Sequence, residues 1–352
     1  MTDTIRVPES IGVARKRSDW GSPKGINSEL VPWRLWEKAK QLVWDPADLD
    51  FSKDAEDWAN LSEDQQITIA SLARIFMVGE EAVTLDIAPL IVAMGDEGRL
   101  EETIYLTSFA FEEAKHVDFF RRWFTAIGAD PLELLEKQEA RLRSFGIEPP
   151  DPENLNGMFE KELPRVMRRV LTDRSPKAIL DAAVTYNQFI EGCLAITGYR
   201  LWSQLFDTFG ILPGMREGLR LVRRDESRHI TYGTYLARRI MAAHPELLDF
   251  AKGRLGELRH AWFVEMTGSP PPPDRIDGAM VEQQVQHLMG NGDGSGGMPA
   301  GADFVLMMQF FSWFDTQIDA RTQVLERAAS LSESEAISDF GAEEEEAELA
   351  EV

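Results

Sequence analysis

Leu106–Trp123 reads LTSFAFEEAKHVDFFRRW, and the spacing of its apolar residues decides the fold. Leu106, Phe109, Phe120 and Trp123 recur at steps of three and four, so they share one stripe of a helix, and Glu113 and His116 lie on that same stripe. A carboxylate and an imidazole one turn apart therefore point toward the core. The pattern returns as Met215, Leu219, Val222, Glu226, His229, Gly233 and Leu236. A third stripe, Ile69, Ala73, Phe76, Glu80, Val83, Ile87 and Leu90, is broken by Glu80, and a fourth runs Glu191, Leu194, Gly198 and Leu201.

Working outward, helical spacing predicts four long helices over Ser62 to about Met94, Arg99 to Ile127, Lys177 to Phe209 and Met215 to Ala243, each taken as uninterrupted. Gly95, Gly128, Gly210 with Pro213, and Pro245 supply the stop signals. Weaker helices are expected over Pro152 to Leu171, Leu247 to Met266, Gly278 to Met289 and Asp303 to Leu331, with loops at Gly268 to Pro273 and Gly290 to Gly301. No stretch alternates with period two for long enough to make a sheet. The fold class is all-α, a ferritin-like four-helix bundle with flanking helices. Residues 1–60 form an irregular lead-in with at most short helices, 61–268 the helical core, 269–331 C-terminal helices with a Gly-rich loop, and 332–352 an acidic disordered tail.

Four glutamates on core faces need compensation, because an unpaired buried carboxylate costs several kcal/mol, and few basic residues share those faces. Glu80 and Glu113 are 33 residues apart and Glu191 and Glu226 are 35 apart, about two half-helices and a turn, which brings each pair level in an antiparallel hairpin. Glu80, Glu113, His116, Glu191, Glu226 and His229 thus make a cage for two divalent ions of the iron or manganese type. Glu112 and Asp225 precede the two Glu-x-x-His motifs and are candidates to hold the outer nitrogen of a ligand histidine. With five histidines, about half a chance match to Glu-x-x-His is expected. The third match, Glu257 with His260, lacks a partner helix and reads as accidental, and His244 and His287 read as surface residues.

The strings GEEAV at 79–83, FEEAKH at 111–116 and TYN at 185–187 resemble the ligand-binding oxidases related to the small subunit of ribonucleotide reductase. WDPADLDF at 44–51, IEGCLAITGY at 190–199, LPGM at 212–215 and DESRH at 225–229 extend the resemblance over roughly residues 44–236. It implies a mixed manganese and iron centre, or a di-iron one. Manganese would lie beside Glu80, Glu113 and His116, iron beside Glu191, Glu226 and His229, with Glu113 bridging. It also implies a long-chain fatty acid or similar lipid-like ligand, activation of O2 with electrons from a separate donor, and an ether bond from the Val83 β-carbon to the Tyr186 oxygen. From spacing alone Val83 falls one turn from Glu80, whereas Tyr186 falls about 140° from Glu191 on an ideal helix. Phe109, Phe120, Leu194 and Ile87 are candidate walls of an acyl tunnel.

Two other readings remain open. A radical-generating reductase subunit usually keeps a tyrosine where this chain has Phe120, and another near its C-terminus, whereas no tyrosine follows Tyr235. A metal storage bundle would need no substrate. A net charge of −23 makes nucleic acid an unsuitable partner, and nine acidic residues without a basic one fall in Glu333–Val352. The one cysteine, Cys193, excludes an intramolecular disulfide, and with no apolar leader or transmembrane run the expected location is the cytoplasm. A homodimer is the expected assembly.

Overall fold

In a computed structural model of the chain, Ser62 opens the first long helix with a reciprocal cap: its hydroxyl accepts from the Gln65 amide while the Gln65 side chain takes the Ser62 amide. Residues 25–144, 157–268, 270–272, 278–281, 283–284 and 302–338 are described. The helices are α1 (Val31–Gln41), α2 (Ser52–Asn60), α3 (Glu63–Asp86), α4 (Ala88–Asp96), α5 (Leu100–Ile127), α6 (Pro131–Ser144), α7 (Leu163–Arg169), α8 (Pro176–Ala183), α9 (Ile196–Phe209), α10 (Pro213–Ala243), α11 (Leu248–Thr267), α12 (Ala302–Ala329) and α13 (Glu333–Ser338). Among the described residues there is no strand, and no helix is long and apolar enough to cross a membrane. The all-α expectation holds.

The bundle consists of α3, α5, α10 and the run from α8 through α9, with α3 packed along α5 and α10 along the middle of that run. Gly128 and Gly210 close α5 and α9 in the left-handed region, at φ 68° and 64°, where a side chain would be strained. The next helix, α10, starts from Leu212 at φ 52° and has no side-chain cap of its own. Asp54 of α2 supplies one: its carboxylate accepts from the amides of Gly214 and Met215, both at 2.7 Å, and from Trp123 Nε1 at 3.0 Å. The lead-in therefore pins the N-terminus of a bundle helix.

Several expectations need correction. The run over Ser62–Met94 is two helices, broken at Ile87, because Pro89 fits only in the first turn of a new helix. The run over Lys177–Phe209 contains a π-helical stretch, Val184–Ala195. The weak helix expected from Pro152 is a π-turn at Met158–Glu162 leading into α7, its first residues lying outside the described ones. The sequence reading lacked α6 altogether. Within the expected tail, Glu333–Ser338 is helical and packs on α10 with Ala336 buried; residues 339–352 and the Gly290–Gly301 loop lie outside the described residues, as do 1–24. From Gly278, helix is described only as far as Gln284.

Two apolar cores result. One gathers Val83, Leu106, Phe109, Tyr186, Phe189 and Leu236, and the other Met77, Phe119, Trp123, Trp202, Leu219 and Val222. On α3, α5 and α10 the polar core residues fall between the residues of the two clusters. A polar layer thus crosses the bundle at one height.

Candidate metal centre

Glu80 on α3, Glu113 and His116 on α5, Glu191 on the π-helical stretch, and Glu226 and His229 on α10 meet in that layer, all buried. Their donor atoms form two groups, each with all atoms within 4.8 Å of one another: Glu80, Glu113, His116 and Glu226, and Glu113, Glu191, Glu226 and His229. Glu113 and Glu226 belong to both, so each stands where a bridging carboxylate would. The structure brings together all six residues named from the sequence. The rejected motif stays apart, with Glu257 and His260 exposed, and His244 is exposed beside Glu246; His287 lies outside the described residues.

The residues fit a pair of ions. Glu113 Oε2, Glu191 Oε1, Glu226 Oε2 and His229 Nδ1 are buried without a hydrogen-bond partner, an arrangement that costs about 1–3 kcal/mol per group unless something else binds there. Four inner carboxylates also match the charge of two divalent cations, and carboxylate with imidazole is the donor set that iron and manganese prefer.

Titration behaviour follows from crowding. Burial, then the charges of Glu226 and Glu80, raise Glu113 well above the carboxylate range. Burial also pushes Glu191 up to about 8. Burial works against the charge of Glu226 as well, but His229 and His116 outweigh it and hold that carboxyl at about 2. Both histidines are raised well above the usual imidazole value, because the surrounding carboxylates overcome the burial that opposes their charge. Metal uptake must therefore displace protons.

The outer nitrogens are held by the acids that precede the two motifs: His229 Nε2 is 2.9 Å from Glu112 Oε2 and His116 Nε2 is 3.3 Å from Asp225 Oδ2. Two buried cations that the sequence reading left out of the cores reach these acids. Lys115 Nζ donates to Asp225 at 2.6 Å, and Arg228 donates to Asp225 at 2.6 Å and to Glu112 at 2.5 Å. Trp44, from the lead-in, donates its Nε1–H to Asp225 at 2.7 Å. Tyr199 donates to Glu80 and stacks on Phe76 at 4.4 Å. Trp44, Lys115, Tyr199 and Arg228 all stand inside the strings that carried the resemblance, but no periodicity marks them.

The π-helical stretch resolves the position of Tyr186. Its hydrogen bonds run to the fifth residue, so residues five apart stack on one face instead of diverging as in an α-helix. Tyr186 and Glu191 accordingly both face the layer, and the Tyr186 hydroxyl donates to Glu113 Oε1 at 3.2 Å. The stretch lies so close to α10 that a β-carbon on Gly233 would stand 2.1 Å from that of Asn187, whose amide donates to Glu191 at 2.9 Å.

A cavity of about 770 Å³ adjoins the layer, lined by Glu80, Glu113, Glu191 and Glu226 together with Val83, Ile190, Leu194, Phe76, Leu72 and Phe310. Of the four expected wall residues only Leu194 lines it. Phe109 stacks on His229 at 3.7 Å, Phe120 packs between Phe76 and Phe119, and Ile87 lies in the core.

The ribonucleotide reductase small-chain family matches residues 31–252. An R2-like ligand-binding oxidase from Sulfolobus acidocaldarius is 32% identical, over 90% of this chain and 97% of that one, with a TM-score of 0.68. The chain belongs to the R2-like ligand-binding oxidases. A variant of such an oxidase with an aerobically reconstituted Mn/Fe cofactor is 29% identical over 85% of this chain and 94% of its own, at a TM-score of 0.66. Another, with a non-activated Mn/Mn cofactor, is 30% identical over the same shares, at 0.65. The chain thus shares its fold with oxidases whose solved structures carry paired-metal cofactors.

Proposed function

We propose that this protein is a dimetal-carboxylate oxidase that uses dioxygen to withdraw two electrons and two protons from groups beside its metal centre. The single observation that carries the reading is the pair of overlapping donor groups sharing Glu113 and Glu226, both of which line a largely apolar cavity. Glu80, Glu113 and His116 would hold manganese, and Glu191, Glu226 and His229 iron, with a di-iron loading as the alternative. Bound there, the metal pair supplies the redox chemistry, passing electrons to dioxygen and taking them from the group being oxidised.

The chain's own residues do the rest. Val83 lines the cavity one turn after Glu80, and Tyr186 presents its hydroxyl to Glu113, which is placed to accept the phenol proton. An ether bond between the Val83 β-carbon and the Tyr186 oxygen removes one hydrogen from each, with dioxygen as the oxidant. The apolar walls would take the tail of a long-chain fatty acid or similar lipid-like ligand with its carboxylate toward the metal ions that the glutamates would hold, and would keep water from the reacting groups.

Peptide mass spectrometry after aerobic assembly with manganese and iron tests this. The expected product is a linked pair of peptides containing Val83 and Tyr186, lighter by two hydrogens than their sum. Unlinked peptides in both the Mn/Fe and the di-iron protein would count against it.

A further inference from the structure

The two histidines facing the layer are backed by unequal partners. Glu112 Oε2 serves His229 alone, at 2.9 Å, among the described residues. Asp225 Oδ2 is 3.3 Å from His116 because it also takes the ammonium of Lys115 at 2.6 Å and the indole N–H of Trp44 at 2.7 Å. Arg228 acts on both sides, with one nitrogen donating to the other oxygen of each acid. It cancels in the comparison, and the difference that remains is Lys115 with Trp44. Lys115 is buried, and its ammonium stands 4.5 Å from the centre of the Trp44 ring, which itself stacks on His116 at 6.4 Å. The ammonium, indole and imidazole therefore form one ordered unit around a single carboxylate oxygen.

A carboxylate behind a ligand imidazole strengthens it as a donor by drawing on its outer N–H. That pull weakens when the oxygen's lone pairs and charge are already engaged. His229 is therefore the stronger nitrogen donor of the two. Divalent iron gains more than manganese from a stronger nitrogen ligand, since affinity rises from manganese to iron for a given site. The position beside His229 discriminates for iron, and the position beside His116 gives up that discrimination.

We propose that Lys115, assisted by Trp44, is a specificity-determining residue: by occupying Asp225 it weakens His116 as a ligand and leaves that position open to manganese, while unshared Glu112 reserves the other for iron. This rests on the metal reading above. Its effect is on metal choice, so it is read without reference to turnover.

The full-length protein and its Lys115→Met, Trp44→Phe and Glu112→Gln variants are loaded without oxygen from equimolar Mn(II) and Fe(II). The occupant of each position is then measured by anomalous scattering at the two absorption edges, with circular dichroism checking the fold. Lys115→Met is expected to tighten metal binding beside His116 by about tenfold, the size of effect that outer partners have on metal affinity, and to lower the Mn:Fe ratio there by a smaller factor, since both metals share the gain and iron takes the larger part, with the ratio beside His229 unchanged. Trp44→Phe, which removes a neutral donor, shifts the same ratio in the same direction by less. Glu112→Gln raises manganese beside His229. A folded Lys115→Met protein with an unaltered ratio overturns the proposal; if that variant does not fold, unaltered ratios in the other two overturn it. Wild-type protein that takes up no metal at either position instead overturns the metal reading itself.

Discussion

Glu191 gives the polar layer a measurable signature when metal is absent. Its carboxyl is buried on the π-helical stretch, one oxygen accepting from Asn187 at 2.9 Å and the other without a partner. Burial, with the charge of Glu226 added, moves its titration from 4.5 to about 8. A folded-state value above the unfolded one means that the folded chain holds the proton more tightly. The resulting stability is complete below about pH 4.5 and is lost as pH rises through 8. At about 1.4 kcal/mol per tenfold change, the loss is on the order of 5 kcal/mol, a ceiling that relaxation and water entry reduce. Glu191→Gln carries no such charge. In urea titrations with chelator from pH 5 to 9, the two proteins should be nearly equal at pH 5, and the variant should be the more stable by several kcal/mol at pH 9. Adding metal should reverse the order, because the variant has lost a ligand. A pH-independent difference, or a variant that is less stable at pH 9 in chelator, would refute the reasoning.

Asp54→Ala strands the amides of Gly214 and Met215 and the indole of Trp123, and should cost about 3 kcal/mol or more in a denaturant titration. Leu194→Trp should fill the cavity beside Glu191 and reduce the lipid recovered by solvent extraction, with metal content measured by mass spectrometry unchanged. Chelation should lower the thermal midpoint: metal at about a thousand times its dissociation constant contributes about 4 kcal/mol to the folded state. A midpoint insensitive to chelator would mean that the buried acids are balanced in some other way.

The sequence carried the bundle because burial imposes a period of 3.6 on α3, α5 and α10, and an acid on such a face stands out against its neighbours. Glu80, Glu113, Glu191 and Glu226 were legible for that reason, and the near-equal chain intervals brought them level. Tyr186 was not, since its position depends on a turn wider than the period used to read it. The break at Ile87 follows from Pro89, a local signal inside an apolar run that otherwise reads as one continuous helix. Trp44 reaches Asp225 from a segment with no helical period, and only tertiary packing of α1 and α2 brings it there. The tunnel walls failed for a related reason: spacing identifies which side chains point inward, but the gap between facing helices decides which of them meet empty space. Phe109 points inward and is filled over by His229, whereas Leu194 points inward and faces the cavity.

The wide turn over Val184–Ala195 also ties this wall of the protein to a match between helical pitch and chain length. If the segment rewound to ordinary pitch with its length unchanged, Tyr186 and Glu191 would stand about 140° apart, whereas rewinding with one residue removed between them would leave them four apart and on one face again. Tyrosine and glutamate therefore stay together only while pitch and residue count match. A change of pitch without a matching change of length would carry the phenol away from the carboxylates it now faces.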